Sequence, residues 1–186
     1  TFDGQNAKFN LRGPDFAADE LAQWISGCRR RLIVVNCASC SGPFINRLSS
    51  SDRVIITATK SGYELNFSRF GDYLSKAIDA ATADLDKDGQ TSLLEAFLLA
   101  SAQVREYYQQ EARLATEQAL IDDNGDGRGT PAQWFHGIYP VRKAQDEQQL
   151  DGIMAHGIFL LPGEKERQLS DAARDRRDLL ERRIAE

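Results

Sequence analysis

The sequence predicts an α/β fold in which a mostly parallel sheet is sandwiched between helices. Three observations carry this expectation. The runs RLIVVNC (31–37) and RVIITAT (53–59) are short, β-branched and without alternation, as strands buried on both faces are. Segments with apolar residues at helical spacing stand before, between and after them. The resulting order (helix, buried strand, helix, buried strand, helix) is that of a parallel α/β sandwich. Ligand sites in such sheets lie beyond the carboxyl ends of the strands.

Each element has its own signal. Residues 1–14, TFDGQNAKFNLRGP, carry Gly and Pro punctuation and read as loop. Residues 15–26 place Phe16, Leu21, Trp24 and Ile25 at helical spacing, with Asp15 as N-cap and Gly27 as C-cap. A short helix is expected over 43–50 and another helix over 69–83. A long one is expected over 92–119, with Leu94, Phe97, Leu98, Ser101, Val104 and Tyr108 on one side. HGIFLL (156–161) reads as a late strand. The charged tail 164–186, with Leu169, Ala172, Leu179 and Ile184, reads as a solvated helix. Three segments follow: an α/β portion over 1–83, calcium-type loops joined by a helix over 84–135, and an extension over 136–186 that begins near a break at Gly137–Pro140.

Composition narrows the function classes. The 186 residues are 41% hydrophobic and 27% charged, enough for a sizeable core. The net charge of −5 disfavours a nucleic-acid surface. No apolar run approaches the roughly 20 residues of a membrane span. Of the three cysteines, Cys37 and Cys40 form a C-x-x-C without a second pair or a nearby His, which argues against zinc.

The strongest motif is DLDKDGQTSLLE, residues 84–95, which matches the twelve-residue calcium-loop pattern in full. Asp84, Asp86 and Asp88 alternate so that their carboxylates converge on one cation. Gly89 permits the sharp turn. The Gln90 carbonyl and Ser92 add oxygens, and Glu95 closes the shell with two more. Thr91 departs from the pattern, which usually has an aliphatic residue there. A second stretch, DDNGDGRGTPAQ (122–133), offers Asp122, Asn124, Asp126 and the Arg128 position in the same spacing. Its twelfth residue is Gln133, a poorer, uncharged ligand. The expected cofactor is calcium, an ion abundant outside the cytoplasm, which leans the expected location that way.

The stretch LIVVNCASCSGPF (32–44) ends a strand in small and nucleophilic residues, and a second strand ends in TATKSG (57–62). Together they resemble the caspase-like, legumain-like cysteine peptidases, whose nucleophile strand ends in Ala-Cys-x-Ser-Gly. This sequence reads Ala38-Ser39-Cys40-Ser41-Gly42, so the resemblance puts Ser39 at the nucleophile position. Cys40, at the turn, is the alternative in a shifted register, and Cys37 is expected to be buried in its strand. The resemblance covers residues 1–80. It extends to about 135, because bacterial relatives of this type carry a DxDxDG stretch and a DDNGDG-like stretch after a long helix.

That resemblance implies a catalytic His about forty residues before the nucleophile, which falls before Thr1. It therefore implies the C-terminal part of a larger fold, with the first strands of the sheet on a preceding segment or a companion chain. His136 and His156 match no motif of that family. The loop after the second strand, Thr59 to Glu64, would line a substrate pocket, with Glu64 facing a basic side chain. A Ser hydroxyl without a placed base is a poor nucleophile. The expected function is thus a peptidase homologue without catalysis that binds calcium and a protein or peptide. The alternatives are an active cysteine or serine peptidase completed from outside the chain, and a calcium-dependent structural or interaction module.

Overall fold

The computed structural model describes residues 1–141 and 150–161, together with 168, 170–173, 175–176 and 179–180. It is a mixed α/β structure built on a four-stranded sheet. A small hairpin, β1 (Lys8–Phe9) with β2 (Phe16–Ala17), leads into α1 (Ala18–Ile25). Strand β3 (Leu32–Asn36), α2 (Pro43–Leu48) and β4 (Arg53–Thr57) follow. Then come α3 (Phe70–Ala77), the long α4 (Leu93–Gln110), β5 (Leu120–Asp122) and β6 (Thr130–Pro131). A second hairpin pairs β7 (Phe135–His136) with β8 (Tyr139–Pro140), and α5 (Ile153–His156) is a single turn.

The sheet order is β3-β4-β5-β6. Strand β3 pairs with β4 in parallel, as its sequence implies, through a crossover that contains α2. The β4–β5 and β5–β6 pairs are antiparallel, so the sheet is mixed rather than mostly parallel. Helix α4 stops at Gln110, well short of 119, and Ala112 takes the left-handed conformation at φ 50°. Residues 113–119 then run back without helix, and β5 enters the sheet against β4.

Strand β4 is the centre of the core. Val54, Ile55 and Ile56 are fully buried. Val54 and Ile56 face a cluster with Phe70, Leu74, Leu94 and Phe97 from α3 and α4. Ile55 faces the other way, onto Ala18, Phe44, Ile45 and Leu48 from α1 and α2. Helices therefore cover both faces of the sheet, and β5 and β6 put residues 84–135 into the same core as residues 1–83.

Strand β3 departs from its expected burial. It is an edge strand, and Ile33 and Val35 remain 37% and 39% exposed. Its apolar run reads as doubly buried, yet among the described residues one flank has no neighbour. Other differences have local causes. Glu20 Oε2 accepts from Ala17 N at 2.7 Å and starts α1, so Asp15 is not the cap, and Ser26 rather than Gly27 ends the helix. The 69–83 segment splits into α3 and a 3₁₀ turn, Ala81–Ala83. HGIFLL is no strand. It makes only a bridge, Phe159 with Ser92, and Leu93 N donates to Ile158 O at 2.7 Å. The tail helix expected over 164–186 lies mostly outside the described residues. No helix among the described residues is long and apolar enough to cross a membrane.

Phe97 is fully buried, with its ring centroid 6.0 Å from that of Phe70. Phe97→Ala is expected to cost about 3–5 kcal/mol, read as a fall in the urea midpoint at unchanged slope.

Candidate functional site

The turn after β3 is built for close packing. Ser41 is fully buried, and its Oγ accepts from Ala58 N at 3.1 Å and Thr59 N at 3.2 Å. Thr59 Oγ1 in turn accepts from Gly42 N at 3.0 Å. A Cβ on Gly42 would lie 2.4 Å from the Lys60 carbonyl carbon, so only glycine fits. The Ser-Gly pair thus joins the carboxyl ends of β3 and β4. That structural role was not apparent from the sequence, which presents the pair only as part of a small-residue turn.

The nucleophile candidates sit around this turn. Ser39 Oγ donates to Asn66 O at 2.5 Å, which ties the hydroxyl to the loop after β4. Cys40 is 4% exposed and held at φ 60°, and its Sγ lies 3.8 Å from Glu64 O. The turn residue is therefore the sealed one, whereas Cys37, expected to be buried, is half-buried. Burial, helped by the nearby Glu117 charge, raises the Cys37 thiol above its ordinary value of 9.0. A thiol held protonated is a weak nucleophile. His136 lies exposed in β7, paired with Tyr139. His156 Nε2 is 3.6 Å from Asp86 Oδ2, beside the first acidic loop. The structure thus gathers Ser39, Cys40 and Glu64 at one strand end and places both described imidazoles elsewhere.

Glu64 turns inward. Its Oε2 accepts from Lys60 N at 2.8 Å and its carbonyl accepts from Cys40 N at 3.1 Å. Burial pushes its carboxyl above the ordinary 4.5. It serves the turn rather than presenting a charge to a substrate. Three large apolar side chains of this loop are exposed: Tyr63, Leu65 and Phe67, at 73%, 68% and 80%.

In the first acidic loop, one carboxylate oxygen each from Asp84, Asp86 and Asp88 lie within 4.8 Å of one another. The loop's own backbone gathers them. Asp88 N donates to Asp84 Oδ1 and Asp86 Oδ1, both at 3.1 Å, and Gly89 N donates to Asp84 Oδ2 at 3.0 Å. Lys87 at φ 62° and Gly89 at φ 91° make the sharp turn. Three hard anionic oxygens this close fit a hard divalent cation. Gln90 N closes the turn onto Asp88 Oδ1 at 2.7 Å.

Glu95 and Ser92 have a different geometry from the three aspartates. Glu95 is 1% exposed. Its Oε1 accepts from Leu85 N at 2.7 Å, and its Oε2 accepts from Ser92 N at 2.8 Å. Ser92 Oγ accepts from Glu95 N at 3.3 Å, which completes a capping box at the start of α4. Glu95 therefore fastens the acidic loop to the helix.

The second acidic loop joins β5 to β6 instead of lying between helices. Asn124 Oδ1 accepts from Asp126 N at 2.8 Å and Asp126 Oδ1 accepts from Arg128 N at 2.7 Å. Asp122 is fully buried at its start. Gln133, the twelfth position, lines a cavity of about 190 Å³ with Ala58, Phe70 and Glu117, away from the loop.

Two buried acids, Glu117 and Asp151, escaped sequence reading because their partners are remote. Glu117 accepts from Arg69 N and Phe70 N, at 2.9 and 3.1 Å, and so caps α3. Asp151 Oδ1 accepts from Asp123 N at 2.9 Å, and its Oδ2 accepts from the Thr130 hydroxyl. Burial raises the Asp151 carboxyl from 3.8 to about 7, against the pull of Thr130 and Asp123 N–H. An acid with a raised folded-state value adds stability below its unfolded value and loses it as pH rises through the folded one. In excess chelator, the melting temperature is therefore expected to fall between about pH 4 and pH 7. Asp151→Asn should flatten that slope, as thermal melts across this range would show.

No known protein-family model matches the chain, and neither do the curated proteins or solved structures compared with it.

Proposed function

We propose that this chain is a caspase-like, legumain-like peptidase homologue that does not catalyse by itself and that binds calcium through Asp84, Asp86 and Asp88. The observation that carries the first half is the setting of Ser39. Its hydroxyl is donated to a backbone carbonyl at 2.5 Å, while the described imidazoles lie on the β7–β8 hairpin and beside Asp86. A hydroxyl needs an adjacent base to attack a carbonyl. The parallel β3–β4 pair, the helices on both faces of the sheet and Ala38-Ser39-Cys40-Ser41-Gly42 at a carboxyl end support the same reading. The exposed Tyr63, Leu65 and Phe67 offer an apolar surface to a peptide or protein at that end.

The open flank of β3 favours a second reading, an active peptidase completed by a preceding segment or another chain. Ile33 and Val35 are exposed there, beside the strand that carries Ser39. A strand added at this flank would bring new residues close to the turn. A third reading, a calcium-dependent interaction module, needs only the acidic loop and the apolar surface.

Calcium at a hundred times its Kd is expected to stabilise the fold by about 2.7 kcal/mol. That corresponds to a rise of roughly 5–10 °C in melting temperature for a chain of this size. Asp86→Asn should abolish the first loop's share, and a chelator titration that leaves the wild-type melt unmoved would reject the calcium half. A fluorogenic peptide panel should show no cleavage by the chain, with or without calcium. Turnover lost in Ser39→Ala or Cys40→Ala would instead establish the second reading.

A further inference from the structure

Three carboxylates are buried where β5, the loop after it and α5 meet. Asp122, Asp123 and Asp151 are 0%, 3% and 1% exposed. A buried carboxylate is tolerated when hydrogen bonds or an opposite charge replace its lost hydration. Asp123 is matched by backbone donors, with Gly152 N and Ala155 N each at 2.8 Å. Asp151 has Asp123 N, Asn124 N and the Thr130 hydroxyl. These two acids exchange bonds across the junction, each holding the backbone beside the other.

Asp122 is different. Its Oδ1 accepts from Gly125 N at 3.1 Å, which places the carboxylate inside the loop. Its Oδ2 is sealed from solvent without a well-formed hydrogen bond, and the neutral Ser49 hydroxyl and Gly127 N–H are the other donors near the carboxylate. Among the described residues, no ion pair joins a Lys, Arg or His to any of the three acids. The negative charge of Asp126 acts on Asp122 as well. A loop that gathers acids around a buried oxygen without a well-formed hydrogen bond lacks a positive charge.

The loop is also held in place from outside. Gly127 N donates to Ser49 Oγ at 2.9 Å, and Asn46 Nδ2 donates to Gly127 O at 2.8 Å. Gly125, at φ 82°, lies so close to the end of α2 that a Cβ would stand 2.6 Å from Ser51 N. The loop is therefore fixed against α2 on one side and, through Asp123 and Asp151, against α5 on the other.

We infer that residues 122–128 form a second divalent-cation site of calcium type. Its oxygens come from Asp122 Oδ2, the side chains of Asn124 and Asp126, and the Arg128 carbonyl. The set holds only hard oxygen donors, which suits calcium over zinc or copper. Gln133 takes no part, since it faces the cavity beside Phe70. The inference goes beyond the proposed function, which places calcium at the first loop alone, and it rests on the buried setting of Asp122 in the second acidic stretch, which spacing does not show. Bound there, the ion neutralises the acids of the junction and ties α2, β5 and α5 together.

The test is a calcium titration of the whole chain against a competing chelator dye, with Asp86→Asn and Asp126→Asn singly and together. Wild type is expected to bind two equivalents, each single variant one, and the double variant none. If wild type binds one equivalent and Asp86→Asn alone removes it, the second site is overturned and the first-loop reading stands. If Asp126→Asn alone removes that one equivalent, the second site stands and the first-loop reading falls. A double variant that binds as wild type does overturns both.

Asp122→Asn gives an independent check with opposite signs. Without calcium it removes an unmatched buried charge and should melt above wild type. In excess calcium it should melt below. A shift of the same sign in both conditions overturns the role given to Asp122. If that variant does not fold, the Asp126→Asn titration decides.

Discussion

The fold depends on buried carboxylates serving as acceptors for backbone N–H groups. An N–H sealed from water without a partner costs free energy comparable to a lost hydrogen bond. This chain meets that requirement with acids at its most irregular points. Glu95 joins the first acidic loop to the start of α4. Glu117 holds the start of α3 and also accepts from the Tyr108 hydroxyl at 3.2 Å, near the end of α4. Asp123 and Asp151 fasten the β5–β6 loop to α5. Removing one of these acids would strand several donors at once, so these few side chains fix the irregular junctions around the apolar core that α4 shares with β4.

Charge placement explains why the two acidic loops differ despite their common spacing. In the first, the aspartates are exposed or half-exposed, and water screens their repulsion. Backbone N–H groups of Asp88 and Gly89 hold the turn around these carboxylates. In the second, Asp122 lies in the sheet itself, paired with Ile55 of β4. Repulsion there is poorly screened, and the position is fixed by strand register. The same residue types thus stand in a solvated turn at one end of α4 and in a buried strand end in the sheet.

The fold was legible in the sequence where its causes were local. Strand β4 follows from an unbroken β-branched run, and the first acidic loop follows from twelve consecutive residues. The start of α4 is marked by Ser92 and Glu95, three apart. Features set by remote partners were not legible. The edge position of β3 depends on which strand lies beside it, and a run such as LIVVN is the same at an edge or a centre. The end of α4 was obscured because Ala115 and Ala119 continue an apolar spacing that the backbone abandons at Ala112. Asp151 acts 28 residues from Asp123, with no local pattern to single it out. At the strand-end turn, the alignment of Ala38, Ser41 and Gly42 located the place, but the burial of Cys40 and the tethering of the Ser39 hydroxyl depended on the loop after β4.

The open flank of β3 also bears on how copies of this chain meet one another. Among the described residues this edge is bare, and a bare edge with β-branched residues is a template for further pairing that proteins commonly guard with charge. Here Arg29, Arg30 and Arg31 stand exposed immediately before Leu32, the first residue of the strand. Three adjacent cations guard the amino end of the edge and discourage stacking of like chains in register, at a cost that falls as salt screens them.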